Sequence, residues 1–265
     1  MSLVAKAKCD QSYNSVTSVL DALAVAAKLP QKGLIIIKPN LTNASPPPVT
    51  TNVGLVAAIY RYCRGKTECE IAIGEGCGFG ETRDVYQANG YDRLAKKYGI
   101  RLIDFNLEPS EIFSNEKAFH WKKMHLPSIV HGAYIISVPI LKDHSFTRTT
   151  IAMKNMFGLA PAPFYKGNWN KSALHQPSSH ISVVDICLHK KPDLCVVDAV
   201  AALTGMHLFG VVKKFGLILA SFDPVAVDAV GSALLGHDPR QIDYLRRADG
   251  LLGDMQDIEL ITAVP

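Results

Sequence analysis

No stretch of this sequence is long and apolar enough to cross a bilayer. The longest apolar run, residues 133–141, is interrupted by Ser137 and Pro139, whereas a spanning helix needs about 20 apolar residues. The opening MSLVAKAKCDQSYNS has no apolar core of the signal-peptide kind. Both absences lead us to expect a cytoplasmic protein with no membrane partner. Six cysteines are present (Cys9, Cys63, Cys69, Cys77, Cys187 and Cys195), and no two form C-x-x-C. That spacing excludes a zinc ribbon or ferredoxin cluster and leads us to expect buried, reduced thiols. There is no G-x-S-x-G elbow, no H-E-x-x-H and no G-x-x-x-x-G-K-[ST]. Charge of one sign is also scarce. Lys and Arg number 28 against 24 Asp and Glu, a formal net charge of +4, and no basic block is long enough to follow nucleic acid. The mild positive excess suits a small anionic ligand.

What is present is enough apolar sequence to build a core. Hydrophobic residues make up 48% of the 265 and charged residues 20%, which excludes a disordered chain. Short continuous apolar runs at 33–38, 70–74, 100–105, 133–141, 193–197 and 215–220 read as strands covered on both faces. Helical stretches alternate with them, at 52–64 after Thr50 and Thr51 as caps, 82–88, 91–98 with Gly99 as C-cap, 147–157 ended by Gly158, and 180–189. Two more run at 224–235 after Asp223 and Pro224, and at 239–248 after Asp238. Residues 258–262 read as an edge strand. This alternation predicts an α/β fold: a mostly parallel, doubly wound, Rossmann-like sheet with helices on both faces. The length is read as a single domain over 1–265, with insertions at 106–126, where a small hairpin is expected, and at 159–179, a long loop.

The polar residues fall where these strands stop. Lys38 and Asn40 end the first, and Glu75 with the glycine loop 74–80 ends the second. Asp104 ends the third, Lys142, Asp143 and His144 the fourth, Asp198 the fifth, and Ser221 with Asp223 the sixth. Ligands of open α/β sheets bind beyond the carboxyl ends of strands, so these ends predict one cleft. Exposed loops also make strand ends polar, which is the plainer reading. The glycine loop follows a strand and precedes a helix, the place for a phosphate cradle built on Gly76 and Gly78 amides. A dinucleotide fingerprint would need glycine at 79 or 81, occupied by Phe79 and Glu81. The alternative is a loop whose glycines serve backbone conformation alone.

Lysine at a cleft base can hold phosphate or carboxylate, and if desolvated can act as a base or form a Schiff base. The substrate- or anion-binding candidates are therefore Lys38, Asn40, Thr50, Thr51, Gly76, Gly78, Lys154 and Asn155. The catalytic candidates are Lys142, His144 and Glu75, the last because a lone acid in a glycine loop sits close to whatever binds there. A divalent metal is an extension of this reading, with His144, His175 and His180 as candidate ligands drawn from separate segments. Asp223 reads more simply as a helix cap and Asp185 as part of an exposed helix face.

Several segments together resemble a known family. They are IKPNL at 37–41 with the proline-rich turn and TT at 46–51, IGEG at 73–76, PILKDH at 139–144, KNMFGL at 154–159, VVDA at 196–199 and ASFDPVAVDAVG at 220–231. In order along the chain, they resemble domain-of-unknown-function family 362. The resemblance implies little biochemistry, because the family is largely uncharacterised. Some members carry an added iron–sulfur ferredoxin module, whose cysteine spacing is missing here. A fainter likeness links the strand, threonine-rich turn and helix to nickel-dependent lactate racemases, from which no residue role carries over. Two functions are expected from these readings. One is an enzyme on a small phosphorylated or carboxylated substrate, isomerase- or racemase-like or metal-assisted. The other is a non-catalytic accessory protein of a metal or iron–sulfur system, working as a homodimer or with a redox partner.

Overall fold

The strand Leu34–Pro39 shows how this sheet is covered. Ile35 and Ile37 pack into one hydrophobic cluster and Ile36 into another on the opposite face. Successive strand side chains point to opposite faces, so an uninterrupted apolar run needs a helical layer on each. A computed structural model describes residues 1–264 and supplies both layers.

In chain order the elements begin with β1 (Ser2–Lys8), α1 (Val16–Ala22), α2 (Val25–Lys28), β2 (Leu34–Pro39), α3 (Val53–Arg64), β3 (Glu70–Glu75), α4 (Thr82–Ala88), α5 (Tyr91–Tyr98) and β4 (Leu102–Asp104). A two-stranded antiparallel hairpin follows, β5 (Ser110–Ser114) with β6 (Lys123–Pro127). Then come β7 (Tyr134–Val138), β8 (Ile140–His144), β9 (Arg148–Thr150), α6 (Ala152–Asn155), α7 (Ala162–Tyr165), α8 (Ser179–His189), β10 (Leu194–Thr204) and β11 (Val211–Ser221). The chain closes with α9 (Pro224–Leu235), α10 (Asp243–Ala248) and β12 (Ile258–Thr262).

The main sheet has the order β12-β1-β11-β10-β7-β2-β3-β4, with β8 and β9 attached beside β10. From β10 to β4 every pairing is parallel. The α1, α3, α4 and α5 side chains cover one face, and those of α6, α8, α9 and α10 the other. The chain is thus a mixed α/β fold of the mostly parallel, Rossmann-like kind.

Several expectations need correction. The run 133–141 is not one strand. Pro139 has no N–H to give a ladder, and the chain changes partners there, from β7 beside β2 to β8 beside β10 and β9. Residues 147–157 do not form one helix. The β-branched Thr149 and Thr150 pair with β8, and the helix is confined to Ala152–Asn155, followed by a 3-10 turn at Met156–Leu159. The first-turn cap of α3 is Asn52, whose side chain accepts from the Gly54 amide, rather than Thr50 or Thr51. The stretch 239–248 splits into a 3-10 turn and α10 at the extended Ile242. Residues 159–179 contain short helical turns in place of an irregular loop.

The most consequential correction concerns β11, which runs antiparallel to β10. Its carboxyl end, Ser221 with Asp223, therefore lies at the opposite edge from the ends of β2, β3 and β8. Asp223 there accepts the amides of Val225 and Ala226 as the α9 cap, and also that of Asp254. Asp185 is not on an exposed face. It is fully buried, and its carboxylate accepts three successive amides, Phe119, His120 and Trp121, which fixes the end of the β5–β6 hairpin.

Candidate functional site

Adjacent parallel strands β2 and β3 deliver the first pair of charged side chains. Their register matches Ile37 with Ile73, so Lys38 and Glu75 emerge together at the carboxyl edge. Lys38 Nζ donates to both Glu75 carboxylate oxygens at 3.0 Å, and both residues are buried. The same carboxylate accepts the amides of Gly76 at 2.8 Å and Leu41 at 3.0 Å. Three donor groups thus make four hydrogen bonds to it, which leaves its oxygens little room for a substrate. Burial pulls the Lys38 amine below its ordinary range, with Glu75 opposing. Gly158 makes this packing feasible, because a side chain there would collide with the Glu75 carboxylate and the Lys38 amine.

A pocket of about 310 Å³ opens beside the pair. That is the small end of the range for ligand sites. It brings together Asn40, Glu75, Gly76, Gly78, Lys142, His144, Lys154, Asn155 and His175 of the sequence-derived set. Lys38 lies behind Glu75 and does not line it. Thr50 donates to the Ser45 carbonyl, Thr51 bonds the Asn40 amide and the Val138 carbonyl, and both hydroxyls are used beneath the floor. His180 lies elsewhere, its Nδ1 accepting the Tyr244 amide. Asp198 also sits apart, bound to the Tyr13 hydroxyl at 2.8 Å, and burial pushes its carboxyl up to about 6.

The expected phosphate cradle is closed. In the loop 74–80, the Gly76 amide donates to Glu75, the Cys77 amide to Thr82, and the Gly78 and Phe79 amides to the Thr42 carbonyl. Gly76 is glycine for another reason. A Cβ there would meet the Gly158 carbonyl at 2.7 Å and Lys171 Nζ at 3.0 Å. Asn155 is likewise committed, its oxygen accepting from Lys38 and Asn40 and its amide donating to the Lys38 carbonyl and Ser137. It ties α6 to β2.

The basic groups that face the pocket are amine and imidazole. Lys142 Nζ donates to the Val49 carbonyl at 2.8 Å, and burial brings its pKa down to about 7. Lys171 donates to the carbonyls of Gly76 and Gly158 and is lowered by burial to about 8. Lys154 Nζ lies over the Phe157 ring, 3.2 Å from its centroid, and burial with Lys142, Lys171 and Lys38 nearby drives it well below the ordinary lysine range. Among the described residues none of these three has a carboxylate in ion-pair contact, whereas Lys38 does.

The imidazoles are neutral. His144 Nδ1 accepts the Phe146 amide, which assigns its proton to Nε2, and burial beside Lys154 drives its basicity far down. His144 stacks on His207 with centroids 4.2 Å apart. Burial lowers His175 and His207 each to about 4. Among the described residues, three of the lining hold buried polar atoms without a partner: Asn40 Oδ1, Thr150 Oγ1 and His207 Nδ1. Native interiors rarely leave such atoms unpaired unless something else binds there. Among the described residues no three His, Cys, Asp or Glu side chains are arranged to hold a metal ion.

Sequence reasoning missed Lys171 and His207. Lys171 arrives from a segment without a motif, and His207 from the turn of the β10–β11 hairpin. The glycines at 205 and 210 between two apolar runs signal that hairpin. No helix among the described residues is long and apolar enough to cross a membrane.

Comparison with known proteins adds a family. The family described as Domain of unknown function (DUF362) matches residues 35–233. A thylakoid-associated protein of Synechocystis sp. is 26% identical over 223 residues, covering 82% of this chain and 67% of the relative. The matched span runs from β2 to α9 and contains every lining residue of the pocket.

Proposed function

The chain belongs to the DUF362 family, and on that premise we propose that it is an enzyme acting on a small carboxylated or phosphorylated substrate by proton transfer. One observation carries the reading: three buried lysines line one cavity and, among the described residues, none is in ion-pair contact with a carboxylate, the Glu75 carboxylate of the same lining being paired with Lys38. A buried ammonium ordinarily has a partner, because desolvation without one is costly. A ligand anion would be that partner. In this reading Lys142 and Lys171 hold its charge, and His144 donates from Nε2 to a ligand oxygen. Lys154, which has no hydrogen-bond partner among the described residues, presents its amine to the substrate and promotes that proton transfer. The volume of about 310 Å³ lies at the small end of the range for ligand sites, which suits a small metabolite. Glu75, expected from the sequence to move the proton, is reassigned to fixing Lys38 and the loop entry at Leu41 and Gly76. We further propose residence in the cytosol, supported by six free and buried cysteines.

The reading is tested in two steps. Thermal unfolding is followed with phosphate, oxalate and lactate; a bound anion at a hundred times its Kd stabilises by about 2.7 kcal/mol. The protein is then incubated with small hydroxy and oxo acids in D2O, and deuterium incorporation next to the carboxyl or carbonyl carbon is read by mass spectrometry. Stabilisation with exchange supports the enzyme. Stabilisation without exchange supports an accessory binding protein instead, and neither effect contradicts both.

A further inference from the structure

Lys154 has a setting that charge binding alone does not require. The residue is 8% exposed and faces the pocket. Its Nζ rests on the face of Phe157, and among the described residues no carbonyl or carboxylate accepts from it. Lys142 and Lys171, by contrast, are anchored to backbone carbonyls. Three other lysines crowd Lys154 and disfavour its ammonium form, so its amine keeps a lone pair. A desolvated lysine beside other cations is the usual form of an amine nucleophile.

We propose that Lys154 forms a Schiff base with the carbonyl of a small 2-oxo acid whose carboxylate is held by Lys142 and Lys171. This rests on the anion-binding reading above and names its substrate class. The Nζ lone pair attacks the carbonyl carbon, a C–N bond forms, and the π pair moves to oxygen. A proton from the nitrogen passes to that oxygen and gives a carbinolamine. A second proton taken up by the hydroxyl lets water leave while the nitrogen lone pair closes the C=N bond, and the remaining N–H proton replaces the one consumed. Amine plus carbonyl thus yields imine plus water, with no oxidant or reductant. His144, held as the Nε2–H tautomer by the Phe146 amide, donates a hydrogen bond to the departing oxygen. The imine, once protonated, acidifies the C–H bond next to the former carbonyl carbon, the kind of bond on which the proposed proton transfer would act.

The test uses the full chain with glyoxylate or pyruvate and sodium cyanoborohydride, read by intact mass and peptide mapping. We expect one reduced adduct per chain on Lys154, suppressed by excess oxalate. Lys154→Arg should lose the adduct and retain the rise in melting temperature with oxalate. Mapping in the unmodified protein stands even if the variant folds poorly. Adducts spread over surface lysines, or placed on Lys142 or Lys171, overturn the assignment. Oxalate stabilisation with no adduct overturns it and leaves anion binding standing. Absence of both overturns the anion-binding reading as well.

Discussion

Asp228 of α9 accepts the backbone amide of Ala152 at 2.7 Å and that of Met153 at 3.2 Å. A carboxylate from one helix thereby caps the start of another, and the capped turn carries Lys154 and Asn155. The Tyr244 hydroxyl donates to the same carboxylate at 3.1 Å. Leaving buried N–H groups without an acceptor costs about 1–3 kcal/mol each. Asp228→Ala is therefore expected to lower stability by roughly 3 kcal/mol and to weaken anion binding, although Asp228 does not line the pocket. Urea unfolding with and without oxalate checks both effects.

Burial raises the Asp228 carboxyl from 3.8 to about 7. The folded state then binds more protons than the unfolded state between these values, so this group's contribution is fully present below pH 3.8 and is lost as pH rises through about 7. The difference in stability between the unmodified protein and Asp228→Asn should shift in that window. A difference that stays flat from pH 4 to pH 7 would remove the assignment.

Glu75→Gln should cost about 3–5 kcal/mol, the usual result of stranding one member of a buried ion pair. Replacing Lys38 by Met in the same chain should recover part of the loss, since the stranded charge is then gone. Equal losses in the single and double variants would show that the carboxylate acts mainly through the Leu41 and Gly76 amides. Denaturant midpoints of the three proteins decide.

Gly158→Ala is expected to disrupt the same pair, because the added methyl meets both Glu75 and Lys38. Overpacking of this kind typically costs 1–3 kcal/mol. Calorimetric melting should show the loss, and oxalate affinity should fall with it, since the Gly158 carbonyl also anchors Lys171.

The sheet was readable because its covering leaves a pattern. Ile35, Ile36 and Ile37 in a row imply two helical layers whatever the topology. Asp223 before Pro224 writes the α9 cap into the chain. Direction is not written in the same way. Two buried strands look alike parallel or antiparallel, so the apolar pattern alone puts the end of β11 on the wrong edge, although no helical pattern lies between it and β10 and a parallel crossover needs one. β1 alternates Leu3, Ala5 and Ala7 with Val4, Lys6 and Lys8, too weak an apolar signal to separate from an unstructured start. The lysine site was legible in part, through strand ends. Lys171 reaches Gly76 across 95 positions of sequence, and no local pattern records such a contact. The glycine loop misled because glycine spacing does not say whether amides are free, and here Thr42, Thr82 and Glu75 take them.

The lysine pocket itself is tested most directly by the protons that accompany anion binding. Burial brings Lys142 to about 7 and Lys171 to about 8, and an anion beside them stabilises the ammonium forms and raises both. Oxalate binding near pH 8 must then take up protons, and affinity should fall by up to about tenfold per pH unit per coupled lysine as pH rises above these values. Isothermal titration of oxalate at pH 8 in two buffers of different ionisation enthalpy measures this uptake. The account predicts net uptake that is reduced in Lys142→Met; binding without proton uptake, or no binding at all, would contradict it.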